Sequence, residues 1–474
     1  MLYFAYMVYK VKTFTRVDLD LRPNTVSLTL SKGYGTKSSG IPQQLLKDQF
    51  ERLKVLLSQR KRNLKGMRYV FQSQLAAPSK QHHHTEMSVA ALLIASLNAQ
   101  LNQPVERFHF IGSFDLQGQA IALDYPQEHF VAALLYDCEF LVMPLENARD
   151  VPEELASKVI GVRTLDELID FICSGKFRPI SRRSDSKKIT SELGVFYNHA
   201  HASRALELAI VGRHHLLMFG QPGIGKSMLI DQYARVLPPL GSDQKKKVWP
   251  LHVKRKKPLI NHLPIEYMKM NTTVTELYGG GLKPYPGYIS LAHDGLLVAD
   301  EIDQYSRALL EALKMALEWG EVLLEKHHYS ITYPSAFTLI GSCNTDLEQT
   351  DNGLFSDSFL DRIDLVIKLH KPDMSNSLDV FNYHSVSARL EQALAYKSDF
   401  QSSIQCAQPL ECLEKLPFSK KALALVDRLK CNERSSVRRI NRWLSTALSL
   451  LFIDQKTIID ENILLEALSF RKVL

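Results

Sequence analysis

The chain has 474 residues, of which 45% are hydrophobic and 23% charged, with a formal net charge of +7. These values exclude a collagen-like or disordered chain, and no run of ~18 apolar residues is present to span a membrane. The length suggests two or three domains, each with its own core; the small excess of base fits either a nucleic-acid partner or an ordinary basic surface.

In chain order, MLYFAYMVYKVKTF lacks a long apolar core and a small-residue cleavage site, so it reads as a first strand and not a signal peptide. Residues 1–175 mix alternating strands, such as TVSLTLS at 25–31, with helical pieces such as PQQLLKDQFERLKVLLSQ. Adjacent side chains diverge, so His82, His83 and His84 read as surface histidines, not metal ligands. Residues 176–188, KFRPISRRSDSKK, hold six bases against one acid and show no apolar period. They predict a linker over 176–190.

From 191 to 372 short apolar strands alternate with helical segments, the pattern of a parallel α/β sheet. Residues 373–474 read as helical and close with DENILLEALSFRKVL. The run KKKVWPLHVKRKK at 245–257 sets Trp249 among seven bases. That suits a mobile loop touching nucleic acid, or a plain solvated loop. Cys138, Cys173, Cys343, Cys406, Cys412 and Cys431 are scattered without a CxxC pair. Neither a zinc knuckle nor a disulfide framework is indicated, and a reducing cytoplasm fits.

The most informative stretch is FGQPGIGKSMLI. Gly220, Gly223, Gly225, Lys226 and Ser227 satisfy G-x-x-x-x-G-K-S between a predicted strand, Leu216–Phe219, and a predicted helix over 227–236. The binding segment is Gly220, Gln221, Pro222, Gly223, Ile224, Gly225, Lys226, Ser227 and Met228. Backbone N–H groups wrap the phosphates of ATP, Lys226 reaches the β and γ phosphates, and Ser227 ligates Mg²⁺. GLLVADEID then gives a strand, Leu296–Ala299, ending in Asp300, to hold Mg²⁺, and Glu301, to polarise water. FTLIGSCN is a further strand ending in Asn344, placed to orient that water. In FLDRIDL, Arg362 stands between Asp361 and Asp364, either as a local ion pair or as an arginine finger for a neighbouring subunit. In SSVRRINRW, Arg438 begins a helix, where it folds onto nucleotide or faces solvent. Five such elements in this order make an AAA+ module, and a finger supplied by the next subunit implies a ring.

These segments, with GGGLKPYPGYISLAHDGLLVADEID and LLEALKMALEWGEV, resemble the magnesium-chelatase-like AAA+ ATPases, and the ComM (YifB) branch in particular. LVMPLENA and GVRTLDELIDFI are similar to the end of that branch's Lon-protease-like N-terminal domain. The resemblance implies a P-loop core with a C-terminal helical lid behind a Lon-like α+β domain. It implies a cytoplasmic homo-hexameric DNA helicase that uses ATP and Mg²⁺. Such a helicase promotes branch migration on single-stranded and branched DNA during natural transformation, with recombination proteins as partners. Asn344, Arg362 and Arg438 then become sensors and finger. Three departures mark a divergent member: LPIEYMKMNTT replaces a Pro-Phe-Arg-x-Pro-His-His segment, CNTDLEQTDNG lacks a Cys-Pro-Cys-Gly cluster, and FYNHAHA stands ahead of the P-loop.

A Lon-type peptidase needs a serine and a nearby lysine. Here Val89 takes the serine's place beside Ser88, and the matching lysine segment has no lysine, so the N-terminal domain is expected to be non-catalytic. DNA contacts are expected from a hairpin at 320–334, with Lys326, His327 and His328 near its tip, and from TELYGGGLKPYPGY, with Lys283 as phosphate contact and Tyr278 and Tyr285 as stacking faces. The alternative is a chelatase-type ring that remodels a protein partner.

Overall fold

The computed structural model describes residues 8–17, 20–75, 85–98, 104–176, 180, 194–196, 200–282, 284–326, 329–344, 355–370, 379–403, 409–430 and 437–470. The chain divides into two compact units, Met1–Ser186 and Lys187–Leu474. Most of the expected linker, and His82, His83 and His84, lie outside the described residues.

The first unit is α+β. Its strands are β1 (Val8–Val17), β2 (Asp20–Ser31), β3 (Gly35–Ser39), β4 (Arg68–Ser73), β5 (Phe108–Phe110), β6 (Phe140–Pro144) and β7 (Val159–Val162). They form one mixed sheet in the order β3-β4-β2-β1-β5-β6-β7. The helix expected from LLKDQFERLKVLL is α1 (Gln43–Gln59), which buries Leu46, Phe50, Leu53, Leu56 and Leu57, the spacing of one helical face. The next helix, α2 (Glu86–Leu97), is buried almost all round. Its first residue, Glu86, has no exposure and is held by Arg52, whose Nε donates to Glu86 Oε1 at 2.7 Å. A buried carboxylate without such a partner would be strongly destabilising.

The second unit is built on a five-stranded parallel sheet. Its strands are β9 (Leu216–Phe219), β10 (Ile265–Met268), β13 (Leu296–Ala299), β16 (Thr338–Cys343) and β17 (Leu365–Lys368), in the order β10-β13-β16-β9-β17. Parallel strands are covered on both faces, and the sequence shows it. Leu216, Met218, Leu296, Val298 and Ile340 enter one core. The alternate residues Leu217, Phe219, Leu297, Ala299 and Leu339 enter a second core. The first core is completed by α5 (Ala200–Gly212), α6 (Lys226–Ala234), α10 (Tyr383–Ser403), α12 (Val437–Ile453) and α13 (Glu461–Ser469).

The described residues after 373 form helices, with one exception. A short strand, β18 (Asp379–Phe381), pairs antiparallel with β8 (Gly194–Phe196). No helix among the described residues is long and apolar enough to cross a membrane. Cys138, Cys173 and Cys343 form no disulfide, while Cys412 is disulfide-bonded, although the spacing indicates no disulfide framework.

The basic run at 245–257 is not the mobile loop expected. It forms most of α7 (Ser242–Lys254). Trp249 is wholly buried, and its Nε1 donates to the Ile260 carbonyl at 2.7 Å. The cations obscure an apolar stripe of Val248, Trp249, Leu251 and Val253 that packs inward. Trp249→Ala is therefore expected to destabilise the protein by about 3–5 kcal/mol, read as a lower midpoint in denaturant. A midpoint unchanged from that of the wild type would contradict this packing.

Candidate nucleotide site

The site sits where three adjacent strands end. The P-loop follows β9, Asp300 and Glu301 follow β13, and Asn344 follows β16. In parallel α/β sheets ligands bind at these carboxyl ends. Gly223 and Gly225 have φ of +80° and +101°, left-handed values that side chains resist. At Gly220 an added Cβ would stand 2.6 Å from the Leu369 carbonyl oxygen. The loop turns into α6, whose N-terminal N–H groups supply an anion cradle.

Lys226 is folded back into this loop. Its Nζ donates to the carbonyls of Gly220 at 2.7 Å and Gln221 at 3.1 Å, and to Asn344 Oδ1 at 2.9 Å. Burial draws its ammonium below the usual lysine range, opposed by Cys343, Asp300, Asp303 and Glu301. Ser227 Oγ donates to Asp300 Oδ2 at 2.9 Å. A hydroxyl and one carboxylate make a donor set suited to a Mg²⁺ that keeps several waters. No cluster of three or more His, Cys, Asp or Glu fit to hold a metal occurs among the described residues.

Glu301 is held at both oxygens. Asn344 Nδ2 donates to Oε1 at 3.0 Å, and Gln304 Nε2 donates to Oε2 at 2.9 Å. Its backbone is left-handed, with φ 48° and ψ 46°. Such strain in a non-glycine residue costs of order 1–3 kcal/mol and gathers at functional sites.

Ser342 completes the strand ends. Its hydroxyl donates to Asp300 Oδ1 and accepts from the Glu301 N–H, the latter at 3.1 Å. The sequence reading passed over it. Strand periodicity could have found it, because Ser342 lies two residues before Asn344. Asp303, which accepts from the Asn344 N–H at 3.3 Å, and Gln304 were also missed. Both lie just beyond the acidic pair.

Arg362 and Arg438 are brought together elsewhere. Glu318 takes both: Arg362 Nη2 meets its Oε2 at 2.9 Å, and Arg438 Nη2 its Oε1 at 2.9 Å. The two guanidiniums hold the Glu318 carboxyl below the usual carboxylate range. Among the described contacts neither arginine meets the P-loop. Asp361 and Asp364, the neighbours that suggested a local pair for Arg362, serve α12 instead. Arg439 meets Asp361 at 3.4 Å and Arg442 meets Asp364 at 3.1 Å. Nothing in the spacing marks Glu318.

The hairpin at 320–334 forms from β14 (Glu321–Lys326) and β15 (Tyr329–Pro334), where Lys326 opposes Tyr329 at the end of the ladder. His327, His328 and Lys283 lie outside the described residues. The glycine-rich segment follows α8 (Val274–Tyr278) as a small ladder, β11 (Gly279–Gly280) and β12 (Tyr285–Pro286). The two candidate loops are joined. Tyr329 Oη donates to the Gly281 carbonyl at 3.0 Å, and Tyr333 Oη donates to that of Pro284. Between these anchors Leu282 is fully exposed. Tyr278 is not a free stacking face as expected: its hydroxyl donates to the Ala312 carbonyl at 2.7 Å and its ring stacks on Trp319. Tyr285 is half-buried.

In the first unit Ser88 has no exposure and donates its hydroxyl to the Phe110 carbonyl at 2.8 Å, while Val89 is equally buried.

A phosphate cradle, an acidic strand end and a polar strand end on one parallel sheet define a P-loop NTPase of the AAA+ type. The sequence profile of the family described as magnesium chelatase, subunit ChlI, matches residues 193–377. The protein YifB of Escherichia coli, itself uncharacterised, is 24% identical over 98% of this chain and 97% of its own length. Competence protein ComM of Haemophilus influenzae is 26% identical over 73% of each chain. An archaeal Lon protease of Methanocaldococcus jannaschii is 32% identical over 88 residues, 18% of this chain and 14% of its own. Residues 193–377 thus resemble the magnesium-chelatase family, and most of the chain is similar to YifB and ComM.

Proposed function

We propose that this protein is an ATP-driven, homo-hexameric DNA helicase of the cytoplasm, which moves branch points on single-stranded and branched DNA as donor strands are integrated. The observation that carries the reading is one chain holding an ATP site with Arg362 and Arg438 apart from it, together with two loops tied to each other by Tyr329 and Tyr333. Similarity to a competence protein supports DNA as the polymer.

Within this reading Lys226 exchanges its carbonyl partners for the β and γ phosphates, and Ser227 and Asp300 hold Mg²⁺. The bound ion supplies charge neutralisation between the phosphates. Glu301, fixed by Asn344 and Gln304, orients the attacking water. Arg362, paired with Arg438 on Glu318, reaches the γ phosphate of a neighbouring copy, which needs a ring, and Arg438 folds onto bound nucleotide. The first unit is a Lon-like domain without peptidase chemistry.

Lys283 and Lys326 changed together to alanine are expected to weaken DNA binding similarly across sequences, because phosphate contacts carry no base information. Each lost contact flattens the dependence of log affinity on log salt by ~0.7 for a single strand. Binding titrations at several salt concentrations check this. An unchanged slope with unchanged unwinding would remove both residues from the DNA path.

A protein-remodelling ring is the second reading. Leu282, an apolar residue fully exposed at the loop tip, favours it, because an apolar tip can also grip polypeptide.

A further inference from the structure

At the opposite end of the sheet from Lys226 lies a cavity of about 610 Å³. Arg213, just ahead of β9, and the first residues of β13 and β16, Leu296 and Thr338, form its floor. Leu394 and Lys397 of α10 form the facing wall. The volume lies within the range of small-molecule sites.

The charges are unbalanced. Arg213, Asp294 and Lys397 line the cavity. Arg213 Nη1 already meets Asp294 Oδ1 at 2.8 Å, so that carboxylate is occupied. Lys397 Nζ donates to the Val211 carbonyl at 2.7 Å, and no carboxylate lies within ion-pair reach of it among the described residues. Burial, with the Arg213 charge acting in the same direction, draws its ammonium down to about 8. His293, beside Asp294, is kept neutral by its own burial. Taking an ammonium out of water without a counter-charge is costly. Two cations facing one cavity stabilise an anion there. Ile210, Leu263, Leu296 and Leu394 give the wall apolar patches between the polar side chains of Gln244, Thr338, Ser398 and Gln401.

We propose that this cavity is a second ligand site, separate from the ATP site, for a small organic anion: a phosphate or carboxylate on an apolar body, with its charge between Lys397 and Arg213. Its walls come from the sheet on one side and α10 on the other, so the ligand fixes α10 against the sheet.

The test uses the full chain with saturating Mg²⁺ and ADP, so that the P-loop is filled. Phenyl phosphate and benzoate are titrated calorimetrically, with phenol as the uncharged control. The expected result is binding of at least one anion and none of phenol; which anion binds assigns the head group. Lys397→Gln should weaken binding by about tenfold or more, the loss of one charge-assisted contact. Lys397→Arg should retain it. Affinity should fall as the pH rises above about 8, where Lys397 loses its charge. Leu394→Trp, which fills the cavity and leaves every charge in place, should abolish binding even if Lys397→Gln folds poorly. Wild type that binds neither anion at millimolar concentration overturns the proposal. So does undiminished binding by Leu394→Trp, or by a folded Lys397→Gln.

Discussion

Glu301→Gln is expected to bind ATP as the wild type does and to hydrolyse it about 10²-fold more slowly or worse, the range for losing a group that acts on the attacking water. The geometry separates the two effects. In the proposed function phosphate and Mg²⁺ fall to Lys226, Ser227 and Asp300, and Ser227 and Asp300 are already joined at 2.9 Å. Glu301 is tied instead to Asn344 and Gln304, both pointing donors at its carboxylate. An amide fills the same space, so the fold and the left-handed backbone at 301 persist. The charge that draws a proton from water is gone. Single-turnover hydrolysis, set beside fluorescent-nucleotide binding, checks this. Turnover within twofold of wild type would remove Glu301 from the role.

Arg362→Ala is expected to keep nucleotide binding and lose hydrolysis by about 10³-fold or more, the effect of removing an arginine finger. Its side chain lies on Glu318 with Arg438, and no described contact joins it to the P-loop of its own chain. In the proposed ring Arg362 would act on the site of the next subunit. Mixing Arg362→Ala with Lys226→Ala subunits should therefore restore part of the activity, because some interfaces then pair an intact finger with an intact P-loop. Full hydrolysis by a purified monomer would refute this arrangement. Replacement of Glu318 would not substitute for the test, since it frees both arginines at once.

The nucleotide half of the site was legible because each catalytic group sits at a fixed offset from an apolar strand. LLMF, LLVA and TLIGSC end in Gly220, Asp300 and Asn344 at almost the residue expected. Long-range pairing was not legible. Glu318 meets Arg438 across 120 residues of sequence, and no local pattern encodes that contact. The 245–257 run misled for a related reason. Its lysines dominate the composition, yet Val248, Trp249 and Val253 lie on one helical face and decide the structure by burial. Tyr278 shows the same limit at the loops. It reads as a stacking face, but it spends its hydroxyl on the Ala312 carbonyl and its ring on Trp319.

The most direct measurement of the central claim is steady-state ATP hydrolysis by the wild-type chain with no polymer, with single-stranded DNA, with branched DNA and with an unfolded polypeptide. The account predicts that both DNAs stimulate hydrolysis. It also predicts that a branched substrate loses a strand only when ATP is hydrolysed, with the effect absent in Glu301→Gln. Hydrolysis unmoved by either DNA but raised by the polypeptide would contradict it and favour the protein-remodelling ring.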